Sequence, residues 1–364
     1  MIRTCLSKLS PGLLLFLLAH AASAAPVDLG GLTRRSSHAV ESHGGVVTEY
    51  GALRVSPDVR LRTFLTRPEK AAANQPAVLF VGWLSCDTVE IEPRATSGWS
   101  RMLEGLIRRS NAIVMRVDKR GVGDSEGGPC SALDYNTELA DYRLALAELK
   151  RTPGVDPGRV VVFGASMGGT MAPLLAGDGV AGVMDWGAGA LTWLERTLAF
   201  ERNALQLSGK SPALLDQAVR DREDFLHAYL VRGESPAAIA AAQPRQKVVW
   251  ESLVGVSGEL HYGRPPAFHQ QAQQQSWAAA WSRVRVPAIV LYGSNDWFEE
   301  PRGFDLISAV NPNVRVVRIP GLDHHFTRYG SLQEAFADKG GPADADAALN
   351  IMLPWLATTF SQAR

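Results

Sequence analysis

Residues 158–169 read Gly-Arg-Val-Val-Val-Phe-Gly-Ala-Ser-Met-Gly-Gly. A β-branched run is broken at Gly164, presents Ser166, and passes Gly168 and Gly169 before a helix-compatible stretch begins. This is G-x-S-x-G in a strand–turn–helix setting, a nucleophile elbow. A serine on so tight a turn holds strained backbone, and bulk two residues to either side would collide. The turn lifts the hydroxyl above a sheet and aims the following backbone N–H groups, at a helix N-terminus, toward the same point. Ser166 is the candidate nucleophile.

A second match has to be weighed. Gly123-Asp124-Ser125-Glu126-Gly127 also fits the spacing, and GDSEGGP is similar to the GDSGGP around the nucleophile of trypsin-like proteases. The apolar run 112–118 ends several residues too early for an elbow, and Gly-Gly-Pro-Cys follows where a helix should start. The trypsin-like fold is also all-β, whereas strand and helix patterns alternate here. Ser125 is read as a loop residue.

Outward from the elbow, residues 45–55 and 59–66 are β-rich around Ser56-Pro57-Asp58 and predict a hairpin. The continuous apolar run 76–82 predicts a buried strand. Apolar spacing predicts a helix over 99–110, then a strand over 112–117, a long amphipathic helix over 131–150, the elbow strand, and a strand over 180–184. That alternation means a mostly parallel sheet wrapped by helices. From 191 to 285 helical stretches dominate and no strand is convincing. Ser211-Pro212 opens one helix, and the rest is rich in aromatics and glutamine. We read 191–285 as a helical cap inserted into a core formed by 45–190 and 286–364; a purely structural helical layer is the alternative. Strands resume at 286–291 and 314–319, and a last helix through Ala347 and Leu356 should be kinked or shortened by Pro354.

The 364 residues, 46% hydrophobic and 20% charged, have ample material for one large core. A formal net charge of zero carries no nucleic-acid footprint. Residues 1–24 stand apart: Arg3 and Lys8, an apolar run over 12–19 too short to span a bilayer, then Ala22-Ser23-Ala24. This is the layout of a secretory signal, predicting a periplasmic or secreted protein with no stable membrane insertion after cleavage, and a polar leader over 25–44. The mature chain would keep Cys86 and Cys130, both just past predicted adjacent strands. A Cys86–Cys130 disulfide is expected, worth about 4 kcal/mol by chain entropy, with two buried free thiols as the alternative.

Three loops now take on meaning. The order Ser166, Asp296, His324 is nucleophile, acid, base, and each follows a predicted parallel strand, so all three converge on one sheet edge. With Gly82-Trp83, Asp118-Lys119-Arg120-Gly121-Val122-Gly123-Asp124-Ser125, the elbow, Gly293-Ser294-Asn295-Asp296 and Gly321-Leu322-Asp323-His324-His325-Phe326, the chain over 45–360 resembles the α/β-hydrolase superfamily, and within it the serine-aminopeptidase-like, lid-bearing esterases. The resemblance implies the α/β-hydrolase fold. It also implies Ser166 as nucleophile, His324 as general base and acid, and Asp296 as the group orienting the imidazole. His325 and Asp323 are read as neighbours of the site, and Asp185, ending the strand after the elbow, as the second candidate acid. The oxyanion hole is expected from the backbone N–H groups of Met167 and Trp83. Where the family usually has His-Gly before that second donor, this chain has Val81-Gly82.

No metal-ligand spacing occurs among the histidines, and no cofactor or metal is expected. The expectation is an exported serine hydrolase acting on a small-molecule carboxylic ester. An amide hydrolase on the same scaffold, using cap carboxylates such as Glu201, Asp221, Glu223 or Asp224 to hold an amine, is a second reading. A catalytically silent binding protein is a third.

Overall fold

The computed structural model describes residues 28–70 and 72–363. The predicted signal segment and the start of the leader lie outside the described residues.

The frame is an eight-stranded sheet: β1 (Val46–Ser56), β2 (Val59–Pro68), β3 (Gln75–Val81), β4 (Ile113–Val117), β5 (Val155–Ala165), β6 (Gly182–Trp186), β7 (Ala288–Gly293) and β8 (Val314–Ile319). Their spatial order is β8-β7-β6-β5-β3-β4-β2-β1. The β1–β2 hairpin joins antiparallel at the β4 edge, and β3 to β8 run parallel. Alternation along a strand divides its side chains between two cores. On β3, Ala77, Leu79 and Val81 enter one core and Val78 and Phe80 the other, which is why the run is apolar throughout.

Helices cover both faces. α1 (Gly98–Arg109) links β3 to β4, α2 (Tyr135–Arg151) links β4 to β5, and α3 (Met167–Leu175) leaves the elbow. Between β6 and β7 come α4 (Trp193–Leu207), α5 (Pro212–Leu226), α6 (Pro236–Ala242), α7 (Arg245–Ser252), α8 (Pro266–Gln273) and α9 (Trp277–Arg283). α10 (Pro301–Val310) links β7 to β8, and α11 (Leu332–Phe336) and α12 (Asp346–Gln362) close the chain. α1 packs with α12 in one core, and α2, α3 and α10 contribute to the other. No helix among the described residues is long and apolar enough to cross a membrane.

Two local expectations need correcting. The helix at the C-terminus is not shortened by Pro354 but continues through it to Gln362. Pro354 and Asn350 both face solvent, so the carbonyl that loses its N–H partner is free to be hydrated. The segment read as strand-free also holds a two-residue ribbon, Val256–Ser257 against Leu260–His261. The expected disulfide is present: Cys86 and Cys130 are bonded, with Cα atoms 5.8 Å apart.

The stretch before β1 is tied into the sheet. Arg116 on β4 is fully buried, and both its terminal nitrogens donate to Glu41, at 2.8 and 2.7 Å. Glu41 also accepts from the Ile91 N–H at 2.6 Å. Burial pushes this carboxyl up, but Arg116, His43 and the Ile91 amide outweigh it and bring it down to about 2. A carboxyl lowered by folding stabilises above its ordinary 4.5 and loses that contribution as pH falls toward 2. Glu41→Ala strands a buried guanidinium and is expected to cost about 3–5 kcal/mol, measured by denaturant unfolding at pH 7; a change below 1 kcal/mol would show the leader to be dispensable.

Candidate active site

Ser166 stands between the last residue of β5 and the first of α3, with φ 56° and ψ −120°. Such backbone is costly for a residue with a side chain, by about 1–3 kcal/mol, and is held here by its surroundings. The Ser166 N–H donates to the Trp186 carbonyl at 2.7 Å, and the Ser166 carbonyl accepts from Gly169 at 2.9 Å. The flanking glycines are sterically required. A Cβ on Gly164 would lie 2.2 Å from the Gly168 carbonyl oxygen, and one on Gly168 would lie 2.1 Å from that of Val81.

The hydroxyl meets an imidazole. Ser166 Oγ lies 2.8 Å from His324 Nε2, and His324 Nδ1 lies 2.7 Å from Asp296 Oδ2. With the ring neutral, Ser166 O–H donates to Nε2 and Nδ1–H donates to the carboxylate. Asp296 Oδ1 accepts from the Phe298 N–H at 3.0 Å, which orients the carboxylate. Trp99 and Phe298 wall the ring, with centroids 6.1 and 5.0 Å from it. Burial pushes the imidazole down, but the charge and hydrogen bond of Asp296 outweigh it, so His324 is raised from its ordinary 6.5. A raised imidazole is a stronger base for the serine proton.

The other candidates are placed elsewhere. Ser125 is buried, donates to the Asp118 carbonyl at 3.0 Å and accepts from the Arg62 N–H at 2.8 Å; it braces the loop after β4. Asp185 is fully buried beside Gly169 of α3, with no hydrogen-bond partner among the described residues. Burial pushes its carboxyl well above the usual range. His325 is half exposed at the cavity rim, and Asp323 accepts from the His325 and Thr327 N–H groups at 2.9 and 2.7 Å, shaping the turn. Glu201 is buried in an ion pair with Arg222, and none of the four cap carboxylates lines the cavity.

The loop after β3 departs from the family pattern in sequence, and buried groups hold its shape. The Gly82 N–H donates to Tyr142 Oη at 3.1 Å. Lys119 Nζ donates to the carbonyls of Trp83 and, at 2.7 Å, Ser85, while Arg264 Nε donates to that of Leu84 at 2.8 Å. The Cys86–Cys130 bond pins the same loop. Burial brings Lys119 down to about 8 against the pull of Glu138. The Trp83 and Met167 backbone N–H groups donate to no acceptor among the described residues. Both remain available to an incoming oxygen, and the close approach of Gly168 to Val81 and Gly82 brings their segments together. Lys119 was visible only as a basic residue after a strand; nothing local could have connected Arg264, from the segment between β6 and β7, to this loop.

A cavity of about 900 Å³ opens on Ser166 and His324, lined by Trp83, Trp99, Trp193, Phe200, Tyr262 and Phe298. Its volume suits a drug-sized ligand, and its aromatic walls suit an apolar one. Among the described residues, no three histidine, cysteine, aspartate or glutamate side chains gather as a metal site.

A model of the alpha/beta hydrolase family matches residues 78–339. Over 114 residues the chain is 31% identical to the quorum-quenching protein AidA of Acinetobacter baumannii; the match covers 31% of this chain and 34% of that protein, about a third of its length. Among solved structures, a hypothetical protein of Pseudomonas aeruginosa superposes with TM-score 0.56 at 12% identity, over 92% of this chain and 99% of its own. Carboxyl esterase 2 of the mycorrhizal fungus Tuber melanosporum gives 0.51 at 14%, over 89% and 90%. At these identities the likeness is one of fold.

Proposed function

This chain belongs to the alpha/beta hydrolase family, and we propose that it is an exported serine hydrolase that cleaves a carboxylic ester through an acyl-enzyme. The observation that carries this reading is the hydrogen-bonded line Ser166–His324–Asp296, at 2.8 and 2.7 Å, on the floor of an aromatic cavity. Ser166 Oγ attacks the ester carbonyl carbon while its proton passes to His324 Nε2. Asp296 holds the ring and stabilises the imidazolium. Charge that develops on the carbonyl oxygen is met by the Trp83 and Met167 N–H groups, and one missing donor would cost about 2.7–4 kcal/mol of transition-state stabilisation. His324 returns the proton to the departing alkoxide, freeing the alcohol. Water then repeats the sequence on the acyl-enzyme and releases the acid.

In this reading, residues 191–285 act as a lid: Trp193, Phe200 and Tyr262 face the cavity and select an apolar substrate portion. A persistent Cys86–Cys130 bond fits an oxidising compartment and so supports export. None of the cap carboxylates considered for an amine stands at the cavity, but Asp87, Glu90 and Glu92 line it, so the choice of ester over aminoacyl amide rests on the substrate panel below.

The test is labelling with a serine-directed fluorophosphonate, followed by intact mass and peptide mapping. A single adduct on Ser166 is expected. An unlabelled chain, or an adduct on Ser125, would overturn the assignment. A parallel panel of acetate esters, longer-chain esters and aminoacyl amides should show ester turnover dominating; faster amide turnover would move the reading to an amide hydrolase.

A further inference from the structure

A second set of charged side chains lies beside the catalytic line and takes no part in the chemistry above. Glu299 follows Asp296 by three residues on the same loop and is 4% exposed. One of its oxygens accepts from Arg196 of α4, and the other from the Gly189 N–H at 3.3 Å. Arg196 is itself buried, stacks over the Trp193 ring at 5.5 Å and lines the cavity.

Gly189 belongs to the turn after β6, and that turn is the wall behind the imidazole. A Cβ on Gly187 would lie 2.9 Å from His324 Cε1 and 3.1 Å from Nδ1. The Ala190 N–H donates to the Gly303 carbonyl at 3.0 Å, closing the turn onto α10. One carboxylate thus joins the first helix after β6, the turn behind the base and the loop that carries Asp296.

The charged groups facing Glu299 are Arg196 from α4, Asp296 on its own loop, His324 from the loop after β8, and Asp185 from the end of β6. Burial pushes the Glu299 carboxyl up and Asp296 adds to this, while the Arg196 guanidinium and His324 pull it back toward the charged form. The charge of Glu299 in turn favours the protonated form of His324, adding to the larger effect of Asp296, while the charge of Arg196 opposes it and is the smaller of the two.

We propose that Glu299 is a positioning residue: its carboxylate, clasped by Arg196, fastens the first cap helix to the acid loop and supplies a second negative charge beside the His324–Asp296 pair. This rests on the serine-hydrolase reading, so its test reads the nucleophile directly. The rate of Ser166 labelling by a fluorophosphonate is followed against pH in wild type, Glu299→Gln, Arg196→Met and the double variant, with melting curves for each. Gln keeps the size and an oxygen for the Gly189 N–H but removes the charge.

The expected result is a plateau rate about two- to threefold lower in Glu299→Gln, as a base weakened by roughly half a unit gives. The acid limb is expected to move to lower pH by roughly half a unit or more. Arg196→Met leaves the buried carboxyl without its cation and drives it neutral, but it also removes a positive charge that lowers His324, so its limb should move the same way by a smaller amount. The double variant should be no slower than the slower single one, because both act through one contact. If only one single variant folds, its limb decides the matter. A wild-type limb in the folded variants, even with a lowered melting temperature, makes Glu299 a structural brace only and overturns the proposal. Wild-type protein that fails to label at Ser166 overturns the serine-hydrolase reading instead.

Discussion

Ser166→Ala is expected to lower ester turnover by about 10⁴–10⁶-fold while leaving the fold in place. The side chain makes one hydrogen bond, to His324 Nε2 at 2.8 Å, and the elbow backbone is held by the Trp186 and Gly169 contacts, which alanine keeps. Melting should therefore shift by less than about 1 kcal/mol equivalent. His324→Ala should cost a similar factor, and the double variant little more, since nucleophile and base act as one unit. Asp296→Asn is expected to lose about 10⁴-fold, because an amide no longer offers the carboxylate that selects the Nδ1–H tautomer. Asp185→Asn should do far less, as Asp185 is buried beside α3 and makes no hydrogen bond to the imidazole. Steady-state turnover of a small acyl ester reads all five. Undiminished turnover in Ser166→Ala would remove the nucleophile assignment; a larger loss in Asp185→Asn than in Asp296→Asn would reassign the acid.

The second large effect is expected at a residue with no side chain. In Gly168→Ala the new methyl would sit 2.1 Å from the Val81 carbonyl oxygen and 2.6 Å from that of Gly82. Both obstacles are backbone at the end of β3, in the centre of the sheet, so relief means moving the elbow away from the Trp83 loop. That displaces the Trp83 N–H, the proposed second oxyanion donor, and losing one such donor costs about 10²–10³ in turnover before any strain is counted. Strain of this kind reaches about 4–5 kcal/mol or more, enough to leave much of the chain unfolded. Gly177→Ala is the matched control, since a methyl there meets nothing within 4 Å. Soluble expression, melting and fluorophosphonate labelling read the pair. A Gly168→Ala variant with wild-type melting and labelling would show that the elbow and the β3 loop do not press together as described.

Residues whose meaning is local could be read without coordinates. Gly164, Ser166, Gly168 and Gly169 announce a strained turn because only that spacing leaves room for it, and the apolar runs announce buried strands because both faces of a parallel sheet are covered. Asp296 and His324 could be singled out because each follows a strand of the same sheet. The choice of histidine was harder: His324 and His325 are adjacent and chemically identical, and the backbone turns one ring onto Ser166 and the other toward the rim. Pro354 does not end its helix, because its cost depends on whether the freed carbonyl meets water, a matter of which face the proline occupies.

Sequence alone determined the α/β-hydrolase sheet, the elbow and the loops that carry the proposed triad, because strand periodicity, turn sterics and chain order are properties of neighbouring residues. Tertiary structure alone decided that Glu41 neutralises Arg116, that Lys119 and Arg264 shape the Trp83 loop, and that Glu299 and Arg196 join the cap to the acid loop. In a sequence, each of these is one more charged residue of the kind that usually faces water. Burial makes such a charge costly until a partner from a distant part of the chain arrives, and which partner arrives is settled only when the chain is folded.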